Sequence, residues 1–151
     1  GHANWPFFMF GGVGVGKTCA ALCVLDYHAA QHTYHAFSEL CQTLIDADKG
    51  TLVGGEPMFE KITRPMVWKE IEAAELAVLD ELGARVQVTD FQYETLKQWL
   101  EVRQDTPHIV SSNVGPDDLA RKYDDRIVSR LCAGTVVDLS GLADRRQAKE
   151  A

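Results

Sequence analysis

Several things are scarce in this chain of 151 residues, and each scarcity closes off a class of protein. No apolar run approaches the about 20 residues that a membrane-spanning helix needs. No basic segment followed by a long apolar one opens the chain, so no secretory leader is read in it. Cysteine is limited to Cys19, Cys23, Cys41 and Cys132. None of them forms a C-x-x-C pair, which removes zinc-ribbon and dithiol-redox motifs. The expectation is reduced, mostly buried thiols in a cytoplasmic protein. Positive charge is also short: 15 Lys and Arg stand against 22 Asp and Glu, a net charge of −7. That argues against a protein that coats nucleic acid by charge alone. The guanine motif N-K-x-D does not occur, and neither does an arginine-rich lid of the kind that covers donor phosphates in small-molecule kinases.

Short apolar runs alternate with longer segments at helical spacing, the pattern of βα units on a mostly parallel sheet. Strands are predicted at 7–10, 33–37, 76–79, 107–111 and 135–139. Helices are predicted at about 17–30, from a Ser38 cap to 48, at 65–74, from Thr89 onward, from Pro116, and at 124–131. Leu76-Ala77-Val78-Leu79 is apolar at consecutive positions, which suits a strand covered on both faces. Tyr93, Leu96, Trp99 and Leu100 share a helix face. Gly54-Gly55-Glu56-Pro57 reads as a loop, and Gly1-His2 as a tag remnant. The expected division is residues 1–4 as a remnant, 5–140 as one core and 141–151 as a tail.

Gly11-Gly12-Val13-Gly14-Val15-Gly16-Lys17-Thr18 fits G-x-x-x-x-G-K-[ST] in full, after an apolar strand and at the start of a helix. Glycines there let backbone N–H groups turn inward around phosphate oxygens, and the helix N-terminus adds partial positive charge. Lys17 is expected to reach the β- and γ-phosphates, and the Thr18 hydroxyl to bind Mg²⁺. The nucleotide-binding run is taken to extend to Cys19. Asp80-Glu81 ends the third strand, at the edge where parallel sheets bind ligands. Asp80 is the candidate support for Mg²⁺, and Glu81 the candidate base or orienter of the attacking water. A glutamate beside the aspartate points to water as acceptor. Asn113, after Ser111-Ser112, is a candidate γ-phosphate sensor.

These motifs occur in one order with Asp125-Arg126-Ile127-Val128-Ser129-Arg130-Leu131, and the set resembles AAA+ ATPases of the DnaC/IstB type, relatives of DnaA. The resemblance runs from Phe7 to about Arg146. It implies a three-layer αβα P-loop fold with strand order 5-1-4-3-2. It implies ATP and ADP with Mg²⁺, and a nucleotide-dependent oligomer. Asn113 becomes sensor I. Arg130 becomes an arginine finger acting on the neighbouring subunit's nucleotide, with Arg126 one turn earlier as a second candidate. The implied role is loading of a replicative helicase, with the helper ATPase of a transposase as the alternative and single-stranded DNA as a further partner. Two departures follow. A helical lid is expected to be absent, or reduced to a tail holding Arg145 and Arg146, so hydrolysis by the isolated chain is expected to be slow. The N-terminal partner-binding region of the family has no counterpart before Phe7, as in an excised core. Readings of another class are a small-molecule kinase and a scaffold that holds nucleotide without hydrolysing it.

Weaker signals are read blandly. His28, His32 and His35 are read as surface histidines rather than a metal set, and Cys19 and Cys23 as small buried packing residues. Trp68 and Trp99 are read as packing rather than base-stacking, and Arg121-Lys122 as a solvated face.

Overall fold

A computed structural model describes residues 4–28, 30–49 and 62–147. The loop at 54–57 and the Gly1-His2 remnant lie outside the described residues. Five strands form one parallel sheet: β1 Phe7–Phe10, β2 His32–Ala36, β3 Leu76–Leu82, β4 His108–Ser112 and β5 Thr135–Asp138. Their order is β2-β3-β4-β1-β5, the expected 5-1-4-3-2 read from the other edge. The crossovers are made by α1 Lys17–His28, α2 Phe37–Lys49, α3 Arg64–Ala73, α4 Asp90–Val102, α5 Pro116–Lys122 and α6 Asp125–Leu131.

Helices cover both faces of the sheet. Phe8, Ala77, Leu79 and Val110 point into a core shared with α2, α3, α4, α5 and α6. Met9, Leu76, Val78 and Ile109, their strand neighbours, meet Ala21 and Leu25 of α1 on the other face. Residues 76–80 of β3 are all buried, as a strand covered on both sides must be. Trp99 is fully buried and Trp68 packs partly buried against the same cluster, so both tryptophans are packing residues.

Helix starts are capped by chemistry visible in the sequence. Thr89 Oγ1 accepts the Gln92 N–H at 3.2 Å while Gln92 Oε1 accepts the Thr89 N–H at 3.1 Å, a reciprocal capping box. Asp124 Oδ1 accepts the Ile127 N–H at 2.8 Å and opens α6. Pro65 lies in the first turn of α3, where its missing N–H costs nothing.

Two expectations need correction. Ser38 caps nothing: α2 starts at Phe37, directly after Ala36 of β2, and Ser38 is its second residue. Both Ala36 and Phe37 are buried, so the core draws the chain straight from strand into helix. Cys19 and Cys23 are exposed rather than buried. The buried stripe of α1 is set by Lys17, Ala21 and Leu25 at intervals of four, which puts residues two positions away on the outer side. α1 is described through His28, and β3 continues three residues past the predicted Leu79, through the acidic pair to Leu82.

Candidate active site

The strands of a parallel sheet deliver their C-terminal ends to one edge, and the polar residues gather there. β1 ends at Phe10 and the glycine-rich run turns above it into α1. Gly14 and Gly16 have φ of +82° and +102°, conformations that a Cβ makes costly, so these two positions depend on being glycine. Lys17, only 6% exposed, folds back so that Nζ donates to the carbonyls of Gly11 at 2.8 Å and Gly12 at 2.7 Å. Burial pushes its pKa down, and the nearby Asp80 partly restores it.

β4 lies between β1 and β3, so all three strand ends meet. The β3–β4 register slips between Leu79 and Leu82, a bulge that takes Asp80 and Glu81 out of regular pairing. Glu81 there has φ +62°, the left-handed region that non-glycine residues avoid. Its N–H is held by Asp80 Oδ1 at 3.0 Å and Ser111 Oγ at 3.1 Å, while its side chain is exposed to the cavity.

Asp80 is 1% exposed. Its Oδ2 accepts from Thr18 Oγ1 at 2.7 Å and from Tyr34 Oη at 2.5 Å. Its Oδ1 accepts from Ser111 Oγ as well as from the Glu81 N–H. Burial alone would raise the carboxyl pKa. The hydrogen bonds from Ser111, Tyr34, Thr18 and the Glu81 amide outweigh it and hold the group below its ordinary value, as an anion. Tyr34 shows the reverse effect: burial first, then its bond to Asp80, pushes the phenol far above its ordinary range.

Lys17, Thr18, Cys19, Asp80, Glu81 and Asn113 line one open cavity of about 490 Å³. Asn113 follows β4, its N–H donating to Leu82 O at 3.0 Å. Within the loop Val15 is buried and Val13 is exposed. A larger groove of about 570 Å³ opens on the α1 side, among Trp5, Phe7 and Val24. Its lining is apolar apart from Glu75, so it has no apparatus for phosphate chemistry.

Arg130 and Arg126 are elsewhere. Arg130 shares a hollow with Trp5, Pro6 and His108, at the starts of β1 and β4, so it lies near the opposite end of the sheet from the glycine-rich loop. It is half exposed and lies 3.7 Å from Glu101, too loose and solvated a pair to account for it as a structural residue. Arg126 is exposed one turn earlier on α6. Asp124, one of the acidic residues available to these arginines, is engaged instead as a cap and by Tyr93 Oη at 2.5 Å.

Several residues of the site escaped sequence reasoning. Tyr34 reaches Asp80 from β2, although its register partner is Val78 and Ala36 is the residue level with Asp80. Ser111 carried a signal, because a serine inside an apolar strand must find a partner once buried. The tail returns to the loop: the Arg145 N–H donates to Gly14 O at 3.1 Å, Asp144 packs over Gly14 so closely that a Cβ there would overlap its carboxylate, and Arg145 and Arg146 line the cavity. Lys122 is less free than a solvated face implies, since Nζ donates to Gly83 O at 3.0 Å and Arg85 O at 2.8 Å. His32 is exposed and His35 stacks edge-on against Trp99; the side chain of His28 lies outside the described residues. Among the described residues no three of His, Cys, Asp and Glu cluster as a metal set, and no helix is long and apolar enough to cross a membrane.

A scan against protein-family models and a search of the curated proteins return no match. Solved structures do match. The DnaC helicase loader superposes with a TM-score of 0.69 at 19% identity, over 87% of this chain and 76% of that one. AMPPCP-bound DnaA from Aquifex aeolicus gives 0.69 at 20% identity, over 97% of this chain and 44% of that one. DnaI gives 0.63 at 19% identity, over 87% and 71%. The chain thus has the αβα P-loop fold of DnaC- and DnaA-type AAA+ domains, and it spans less than half the length of the DnaA chain.

Proposed function

We propose that this chain, with the fold of the DnaC- and DnaA-type AAA+ domains, is the ATP-binding and ATP-hydrolysing core of a helicase-loader-type switch that works as an oligomer in DNA replication. One observation carries the reading. Lys17 and Thr18 of the glycine-rich loop, the buried anionic Asp80 and the exposed Glu81 converge on a single cavity at the strand ends.

The residues divide the work by their chemistry. Amides of residues 11–18 and Lys17 bind the phosphates. The groups gathered here that could face a metal are oxygens, the Asp80 carboxylate and the hydroxyls that donate to it, with no sulfur or imidazole bonded to it, which fits the hard magnesium ion. Thr18 and Asp80 would hold that ion, which when bound supplies charge neutralisation for the phosphates. Glu81 orients water and accepts its proton. Asn113 stands at the end of β4 to sense the terminal phosphate. Arg130, far from its own loop and exposed, completes a neighbour's site, with Arg126 beside it. Arg145 and Arg146 bring positive charge over the same cavity. A replicative helicase is the proposed protein partner, with single-stranded DNA bound by the assembly.

Phosphate release from ATP tests this. The parent chain turns over, Glu81→Gln binds but does not, and a mixture of Lys17→Ala with Arg130→Ala chains regains activity that neither has alone. Full turnover by a chain that stays monomeric would overturn the shared site, and turnover by Glu81→Gln equal to the parent would overturn the assignment of the base.

A further inference from the structure

A carboxylate has about four acceptor directions, two on each oxygen. On Asp80 all four are filled by the protein itself. Ser111 Oγ and the Glu81 N–H take Oδ1, and Thr18 Oγ1 and Tyr34 Oη take Oδ2. Three of these donors are fixed by the elements that build the site. Ser111 is fully buried in β4, the Glu81 amide is backbone at the bulge, and Thr18 begins α1 and is the hydroxyl assigned to the metal. Tyr34 is different. It comes from β2, it is partly exposed, and no role in phosphate or water chemistry uses it.

A hydrated magnesium ion presents only O–H donors to a carboxylate, so an Asp80 that supports such an ion needs a free acceptor direction on the side of Thr18. We infer that the Tyr34 hydroxyl holds that direction and gives it up when magnesium nucleotide binds. Tyr34 is therefore a positioning residue that sets how much magnesium the site demands. It competes for Oδ2 through a hydrogen bond to a buried anion, one of the stronger kinds. This inference rests on the reading of Asp80 as the metal-site carboxylate.

The test is nucleotide binding by the full chain at a series of magnesium concentrations, with inorganic magnesium and ATP as the probes. Tyr34→Phe keeps the ring and its packing and removes the competing donor. The magnesium concentration for half-maximal ATP binding is expected to fall about 10- to 100-fold, the range of one hydrogen bond to a charged group. Affinity for ATP in a chelator is expected to stay the same. A second measurement does not depend on that variant folding. In a chain whose Tyr27, Tyr93 and Tyr123 are replaced by Phe, the ultraviolet absorption of Tyr34 shifts when magnesium and ATP are added together. A magnesium requirement unchanged or raised in Tyr34→Phe, or a Tyr34 spectrum indifferent to magnesium nucleotide, overturns the inference while leaving the nucleotide site standing. A parent chain that binds no nucleotide at any magnesium concentration overturns the functional reading itself.

Discussion

Replacing Glu81 by glycine should make the protein more stable and inactive at once. Glu81 has φ +62°. For an L-residue the left-handed region costs about 1–2 kcal/mol, a cost glycine does not bear. Glycine returns about 0.5–1 kcal/mol of that through the greater freedom of its unfolded chain. The exposed carboxylate makes no side-chain bond that the substitution removes from the core, and the two hydrogen bonds at this position come from its backbone N–H. The net expectation for Glu81→Gly is a gain of about 0.5–1 kcal/mol, or roughly 1–4 °C in Tm for a domain of this size. Glu81→Gln, which keeps the strained backbone, should leave Tm within about 1 °C of the parent by the same relation. Thermal unfolding followed by circular dichroism, paired with phosphate release, reads both effects. If Glu81→Gly lowers Tm, the backbone is not held against its preference, and the idea that the bulge stores strain to aim this residue fails.

Three other substitutions probe the frame around the site. Arg103, 1% exposed, donates to the carbonyls of Ile71, Glu72, Ala74 and Pro107 and so ties α3 to the start of β4; Arg103→Met should cost about 3 kcal/mol or more in urea unfolding, because those carbonyls lose their partner. His108 is buried, and burial first, with the Arg103 charge adding to it, pushes its pKa from 6.5 down to about 4 despite the Thr106 carbonyl. The unfolded chain then takes up a proton that the folded chain refuses, so His108 supports stability above pH 6.5 and that support is lost as pH falls toward 4. At about pH 5.5 the loss is about 1.4 kcal/mol, and His108→Asn should show a correspondingly flatter pH profile in denaturant melts. Gly14→Ala should release the tail, because the new methyl overlaps the Asp144 carboxylate, and protease cleavage after Arg145 and Arg146 should then speed up.

Much of this was legible in the sequence, for physical reasons that differ by residue. The alternation of strands and helices and the chemical types at the strand ends follow from apolar runs, helix caps and a glycine pattern whose positive φ angles no other residue supplies cheaply, while the strand order comes from the family resemblance. Thr89 with Gln92 and Asp124 with Ile127 are local bonds, three residues apart, so spacing reveals them. Tyr34 with Asp80 is a contact across 46 residues, and it depends on a register between β2 and β3 that no local pattern encodes. The docking of Asp144 and Arg145 on Gly14 spans most of the chain and is invisible for the same reason. Cys19 and Cys23 were misplaced because α1 has no clear polar side: Lys17 is buried in its stripe while cysteines, a leucine and a tyrosine face outward. Glu81 was legible as a residue type but not as a strained one, since strain is a property of the bulge that forms around it.

Every proposed role at this site requires that the loop at 11–18 and the carboxylates facing it hold a magnesium nucleotide. Calorimetric titration of ATP with magnesium into the parent chain and into Lys17→Ala measures this directly. Saturable binding by the parent, weakened about 10- to 100-fold in Lys17→Ala by loss of a charge-assisted contact, is the predicted result. Equal binding by the two chains, or no heat from either, would contradict it.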